Sequence, residues 1–514
     1  MKIKRLLTFS VSLFIAVASF AQTKTPVVKT DAGLVSGMID GNINIFKGIP
    51  FAAPPVGELR WKAPQPVQPW NDVKKCDEFG ASPMQASPAP FSMWSEEFLI
   101  RKEPISENCL YLNVWTSSTS SNKKLPVLVW IYGGGFSSGG ANVPIYDGEA
   151  MAKKGIVFVS INYRVGIFGF FAHPDLTKES GYNASGNYGL LDQIAALKWV
   201  QKNIAAFGGD ANNVTIAGQS AGSMSVNCLV ASPLAKGLFN KAIAESGANL
   251  ISGAFGSRTL QQAEEDGVKT ASSLHANSVG DLRKMSATEL MKVQGIRGGP
   301  IVDGYVLPEP IGEIFASNKE NNVSLLTGWN ENEGLMFGQV KKADDFKKQM
   351  EQQYGNDAQT ALQYYPATND SIASASQYDL SRDIIFGVQN YTWANVESGQ
   401  GSKVYVYHFT RKVPGTGQYA KYGAFHTGEV PYAYDNLKFV NRSWEDVDHK
   451  LADVMSSYWV NFIKTGNPNG KNLPDWKAYN TKDKQVMILG TTQQSQPLKD
   501  AAQLDFIYSK MKAQ

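Results

Sequence analysis

The sequence predicts an α/β protein built on a doubly wound, mostly parallel central sheet with helical insertions. Three observations carry that prediction. Short apolar runs rich in β-branched residues recur at 126–131, 156–161, 214–217, 241–244, 323–327 and 404–409. Strands apolar on both faces belong to a parallel sheet covered by helices on each side. Between the runs lie helical patterns, clearest over 188–207, where Leu190, Leu191, Ile194, Leu197, Val200 and Ile204 repeat at helical spacing. Finally, strand and helix alternate along the chain, as in sheets wound from βαβ units.

The remaining elements fit this frame. Residues 258–295 and 342–364 are helix-rich, polar and strand-poor, and read as insertions placed to cap a site. Residues 448–464 form an amphipathic helix stopped by Gly466-Asn467-Pro468-Asn469-Gly470, a cluster of breakers. The first 21 residues read as an export signal: Lys2, Lys4 and Arg5, then an apolar stretch, then the small-x-small site Ser19-Phe20-Ala21 before Gln22. That stretch is too short and too diluted by Ser and Thr to span a bilayer, and no later segment is apolar enough. The expected address is therefore the periplasm or the exterior. No linker, low-complexity tract or repeat divides 22–514, which reads as one domain.

The formal net charge is +3, and the whole excess lies in Lys2, Lys4 and Arg5. The rest of the chain is balanced and lacks basic runs, which argues against a nucleic-acid partner. Three cysteines, Cys76, Cys109 and Cys228, are most simply one disulfide and one free thiol, with spacing unable to choose the pair. No motif calls for a metal or a cofactor, and none is expected.

Two Gly-x-Ser-x-Gly pentapeptides compete for the role of a serine nucleophile: Gly218-Gln219-Ser220-Ala221-Gly222 and Gly135-Phe136-Ser137-Ser138-Gly139. The first follows a strand-like run and precedes a helix-compatible stretch. Such an elbow exposes a hydroxyl above the positive end of the following helix. The second follows Tyr132-Gly133-Gly134-Gly135 and precedes no helix. Consecutive glycines instead let backbone N–H groups approach a ligand, so Gly134 and Gly135, with the N–H of Ala221, are the expected oxyanion hole. Ser220 is the expected nucleophile and Ser137 a loop residue.

A nucleophilic serine needs a base, and the chain has five histidines. His408 alternates within a strand, His275 and His449 read as solvated surface, and His173 precedes Ser220. On strand-to-helix elbows the chain order is Ser, acid, His. His426, in a loop after the run ending near Phe409, fits that order. The acid belongs after 323–327, where Glu331 and Glu333 both qualify by position and spacing does not separate them.

Gly-Gln-Ser-Ala-Gly, Tyr-Gly-Gly-Gly-Phe, Asn-Glu-Gly and His-x-x-Glu together resemble the type-B carboxylesterase/cholinesterase family. So do Phe46-Lys47-Gly48-Ile49-Pro50, Ser106-Glu107-Asn108-Cys109-Leu110-Tyr111-Leu112, Tyr163-Arg164-Val165-Gly166 and Gly189-Leu190-Leu191-Asp192-Gln193. The resemblance covers about 28–510 and implies an α/β-hydrolase fold and hydrolysis of small carboxylic esters through an acyl-enzyme. It makes Glu333 the acid, Cys76–Cys109 a disulfide, and Arg60–Glu107 and Arg164–Asp192 structural ion pairs. Gln219 stands where cholinesterases carry Glu, and Trp94, the nearest candidate for an ammonium-binding aromatic, has unmatched flanks; choline esters are therefore not expected. Trp329, Phe386 and Gln219 are the candidate substrate-pocket residues. An interfacial lipase is a less favoured alternative, because no strongly apolar lid helix stands out. A non-catalytic binding protein is a second, because such members typically lose the nucleophile that this chain keeps.

Overall fold

A computed structural model describes residues 25–251, 258–293, 298–337 and 340–512; the expected export signal lies outside them. In chain order, one large sheet takes β1 (Met38–Asp40), β2 (Ile43–Pro50), β3 (Tyr111–Thr116), β4 (Leu125–Ile131), β5 (Val157–Ile161) and β6 (Gly209–Gln219). It continues with β7 (Lys241–Glu245), β8 (Ser324–Asn330), β9 (Val404–Phe409), β10 (Gln485–Leu489) and β11 (Gln493–Pro497). The spatial order is β1-β2-β3-β5-β4-β6-β7-β8-β9-β10-β11. Neighbours from β5 through β4 and β6 to β10 run parallel. Antiparallel strands finish both margins.

Each apolar run read from the sequence is one of these strands. β5, β7 and β9 are buried at every position, as strands covered on both faces must be. β6 begins earlier than its apolar run, but the pairing with β4 shifts register between Gly209 and Val214, so regular strand starts at Val214.

The helices that matter for the site are α1 (Tyr188–Asn203), α2 (Ala221–Ala231), α3 (Leu260–Ser273), α4 (Asp370–Arg382), α5 (Val388–Gly399) and α6 (Asp446–Thr465). The pattern over 188–207 resolves into α1 followed by a 3₁₀ turn. α6 stops at Gly466 in the left-handed region, φ 75°, where a glycine avoids the Cβ clash. Among the described residues no helix is long and apolar enough to cross a membrane.

The order in which strands are added reverses about β4, with β5 on one side and β6 on the other. In open α/β sheets the crevice at the carboxyl ends of strands flanking such a reversal receives ligands. Three contacts brace that end. Tyr132 Oη donates to the Tyr163 carbonyl at 2.6 Å and Tyr163 Oη to the Tyr132 carbonyl at 2.9 Å, with the rings stacked at 4.3 Å. Arg164 grips Asp192 of α1 through Nε and Nη2 at 2.8 and 2.7 Å, and its backbone N–H donates to the same carboxylate at 2.9 Å. Arg60 holds Glu107 in the same forked manner.

The Cys76–Cys109 bridge implied by the resemblance is not formed: all three cysteines are free and buried. The two thiols lie in different surroundings, Cys76 beside Lys74 and Asp77, Cys109 beside Asp192, Arg164 and Glu107. Burial pushes the Cys76 and Cys228 thiols up to about 12, leaving them un-ionised at neutral pH.

Breaking the Arg164–Asp192 pair from one side leaves a fully buried carboxylate uncompensated. Arg164→Leu is expected to lower unfolding stability by about 3–5 kcal/mol, read from the denaturant midpoint. A loss below about 1 kcal/mol would mean that the pair does not brace the sheet.

Candidate active site

β6 ends at Gln219 and α2 begins at Ala221, leaving Ser220 alone at the corner with φ 59° and ψ −125°. That is a strained backbone for a residue with a side chain, costing about 1–3 kcal/mol. Neighbours hold it there: the Ser220 N–H donates to the Glu245 carbonyl, and the Met224 N–H to the Ser220 carbonyl, both at 2.9 Å. The flanking glycines serve space rather than rotation. A Cβ on Gly222 would fall 2.1 Å from the Ile131 carbonyl oxygen, and one on Gly218 2.5 Å from Gly222 itself.

The loop after β4 lies against this corner because Gly133 lacks a Cβ, which would stand 2.5 Å from the Gln219 carbonyl and 3.0 Å from Ser220 Cβ. Gly134 and Gly135 then turn through positive φ of 112° and 62°. Ser137 and Ser138 donate their N–H groups back to the Gly134 carbonyl at 3.1 Å, so this serine motif closes a turn instead of forming an elbow. The N–H groups of Gly134, Gly135 and Ala221 have no acceptor among the described residues, and all three residues line the cavity that holds Ser220.

His426 is buried beside that cavity. Its Nδ1 lies 2.8 Å from Glu333 Oε1, which fixes the tautomer with Nε2 free toward the cavity. Phe386 stacks on the ring at 4.5 Å and 24°. The Gln219 amide nitrogen is 3.3 and 3.2 Å from Nδ1 and Nε2; an atom nearly equidistant from both lies over the ring face, since in its plane it would strike Cε1–H. Trp94 meets the ring edge-on at 6.3 Å. Its Nε1–H donates to Thr427 Oγ1 at 3.2 Å, and that hydroxyl donates to Gln219 Oε1 at 3.3 Å. Ser220 Oγ carries no hydrogen bond among the described residues; it shares the cavity with His426. Such contacts are often loose without substrate and tighten on binding.

The structure separates the two acids. Glu333 reaches His426, whereas Glu331 turns to His408 of β9, with Oε2 3.0 Å from Nε2, and to Arg382, which donates to its carbonyl at 3.2 Å. The second pairing ties the loop after β8 to β9 and α4. Two further carboxyls, Glu245 and Glu429, are fully buried nearby. Burial pushes Glu245 up to about 7. Burial, then the charges of Glu245 and Glu333, push the Glu429 carboxyl well above its ordinary value.

The cavity measures about 1160 Å³, and aromatic Phe91, Trp94, Phe98, Phe136 and Phe386 form much of its wall. Gln219 and Phe386 line it as expected of pocket residues. Trp329 does not: it points into the core on β8 and packs on His408 at 5.5 Å, because its strand is covered by helices on both faces. Of the first insertion, read as 258–295, Arg258 lines the wall, with Gly298, Gly299 and Pro300 just beyond its end; no residue of 342–364 reaches it. Sequence reasoning did not place Trp94 in the wall; its signal lies only in the Thr427 contact, which spacing does not reveal. Among the described residues no cluster of three His, Cys, Asp or Glu side chains could hold a metal.

The sheet order and the elbow at the end of β6 define an α/β hydrolase. A profile of the carboxylesterase family matches residues 24–507. Over 93% of this chain and 89% of the relative, 36% of residues are identical to the fumonisin B1 esterase of Sphingopyxis macrogoltabida. The para-nitrobenzyl esterase of Bacillus subtilis is 35% identical over 90% of this chain and 94% of its own. A solved PNB esterase structure superposes with a TM-score of 0.80 at 32% identity, covering 94% of this chain and 99% of that one. The chain belongs to the carboxylesterase family and is a carboxylic ester hydrolase.

The Glu331 pairing carries a pH dependence. Hydrogen bonding to His408 draws its carboxyl from 4.5 down to about 2. A lowered folded-state pKa stabilises the fold above the unfolded value, and the contribution is lost as pH falls from about 4.5 toward 2. Glu331→Gln is expected to melt lower than the parent at pH 7, with the gap shrinking as pH falls below about 4.5 and closing only toward pH 2. A gap independent of pH would contradict this pairing.

Proposed function

We propose that Ser220, His426 and Glu333 act together as nucleophile, general base and orienting acid in two-step hydrolysis of small-molecule esters. His426 Nε2 takes the Ser220 proton as Oγ attacks the ester carbonyl carbon. The carbonyl electrons move to oxygen, and the N–H groups of Gly134, Gly135 and Ala221 hold that oxyanion. Glu333, at Nδ1, supports the imidazolium without taking its proton. Collapse expels the alkoxide, which takes the proton from Nε2, and water then repeats the sequence on the acyl-Ser220.

The observation that carries this reading is the 2.8 Å contact of His426 Nδ1 with a fully buried carboxylate, in the cavity that exposes Ser220 on its strained corner. Phe386 and Gln219 on the ring faces keep the imidazole in one plane. A neutral amide at Gln219 gives a cationic substrate no charge to meet. The relatives named for fumonisin B1 and para-nitrobenzyl esters support esters of sizeable small molecules as substrates.

Ser220→Ala or His426→Ala is expected to lower kcat on 4-nitrophenyl esters by about 10⁶, and Glu333→Ala by about 10⁴, with folding intact. A folded Ser220→Ala protein retaining most activity would sink the assignment.

A further inference from the structure

One side chain outside the triad grips the loop that carries the Gly134 and Gly135 amides. Gln85 is buried beside the cavity, and its amide is spent on backbone. Oε1 accepts from the Gly139 N–H at 2.8 Å, while Nε2 donates to the Gly139 carbonyl at 2.7 Å and to the Pro83 carbonyl at 2.9 Å. Gly139 in turn touches the start of the loop: at φ 110°, a Cβ on it would fall 2.5 Å from the Gly133 carbonyl oxygen. Between the two, the Gly134 carbonyl accepts from Ser137 and Ser138. Residues 133–139 thus close on themselves, with Gly139 as the returning end. Two neighbours zip the flanking segments. Asn142 Nδ2 donates to Ser82 Oγ at 3.0 Å. Asn162 Oδ1 accepts from the Ala141 N–H at 2.8 Å, and its Nδ2 donates to the Ala81 carbonyl at 3.0 Å.

We propose that Gln85 is a positioning residue for the oxyanion hole, setting through Gly139 where the Gly134 and Gly135 amides stand relative to Ser220. This rests on the oxyanion role given to those amides above. The loop holds glycine at 133, 134, 135 and 139, and glycine backbone is the least restricted, so its shape must be imposed by bonds from outside. The Gly166 N–H holds the Phe136 carbonyl at 2.7 Å; Gln85 holds the returning limb. A primary amide suits that task because it offers a donor and an acceptor side by side, matching the C=O and N–H of one residue. A carboxylate or an alkyl chain cannot do both. The segment that follows Gln85 also supplies Phe91, Trp94 and Phe98 to the cavity wall. The wall on which an ester lies and the amides that polarise its carbonyl therefore share one anchor.

Gln85→Leu removes both bonds to Gly139 at similar volume. Its kcat on 4-nitrophenyl butyrate is expected to fall about 10- to 100-fold with KM changed less than about threefold, as a displacement of about 1 Å would cause. Gln85→Glu keeps the acceptor, loses the donor, and is expected to fall between Gln85→Leu and the parent. Inhibition by 1,1,1-trifluorooctan-2-one separates positioning from folding, because its hemiketal on Ser220 puts an oxyanion in the hole. Its Ki is expected to rise by the factor by which kcat/KM falls, whereas loss of folded protein lowers the rate and leaves Ki unchanged. The proposal is overturned if kcat in Gln85→Leu stays within about twofold of the parent, or falls while Ki stays within about twofold. Should that variant fail to fold, Gln85→Glu is judged by the same two readings. If Ser220→Ala still hydrolyses the ester, the catalytic assignment fails, independently of Gln85.

Discussion

The Ile131 carbonyl, at the end of β4, stands where a Cβ on Gly222 would be, 2.1 Å away, and 2.7 Å from one on Gly218. That close approach seats α2 directly behind the elbow and leaves the left-handed turn to Ser220 itself. It also brings the Gly133–Gly135 backbone to the same corner, since Gly133 could not pass Gln219 with a side chain. Every later feature of the site depends on this packing. The loop after β4 brings the Gly134 and Gly135 amides, the corner after β6 the Ser220 hydroxyl and the Ala221 amide, and their separation is set by backbone contact, not by flexible side chains. The strain stored at Ser220 is offset by a sheet buried on both faces and braced by Arg164–Asp192 and the Tyr132–Tyr163 exchange.

The imidazole is placed by three kinds of force. Glu333 fixes one nitrogen by a charged hydrogen bond, Phe386 packs against a face, and Gln219 lies over the ring within a relay from Trp94 and Thr427. Phe386 owes its position to a π-helical turn at Asp383–Gly387 between α4 and α5; an extra residue per turn re-aims a side chain where a regular helix would not. Glu331 and Glu333 part by facing opposite ways, one to His408 of the sheet and Arg382 of α4, the other to His426.

Much of this was legible in the chain. Parallel strands buried on both faces must be apolar throughout, so six runs marked six strands, and the 404–409 run matched β9 at both ends. The choice of Ser220 over Ser137 followed from what surrounds each motif, and the turn at Ser137 shows why: its neighbours close back on Gly134. Spacing could not separate Glu331 from Glu333, because both follow β8 and the difference is made by His408 and Arg382, distant in sequence. Trp329 misled because an aromatic beside the acid loop looks like a pocket wall, while its strand, covered on both faces, buries it in the core. The helices over 342–364 pack beside α4 without reaching the cavity, which a polar helical pattern alone does not disclose. The cysteines are a case where resemblance outran geometry: Cys76 and Cys109 sit in separate surroundings.

The most direct test of the account is to trap the covalent intermediate. The protein is inactivated with a fluorophosphonate, digested and examined by mass spectrometry. A single adduct on the peptide carrying Ser220, lost in His426→Ala, is the predicted result. An adduct on Ser137, or none in folded active protein, would contradict it.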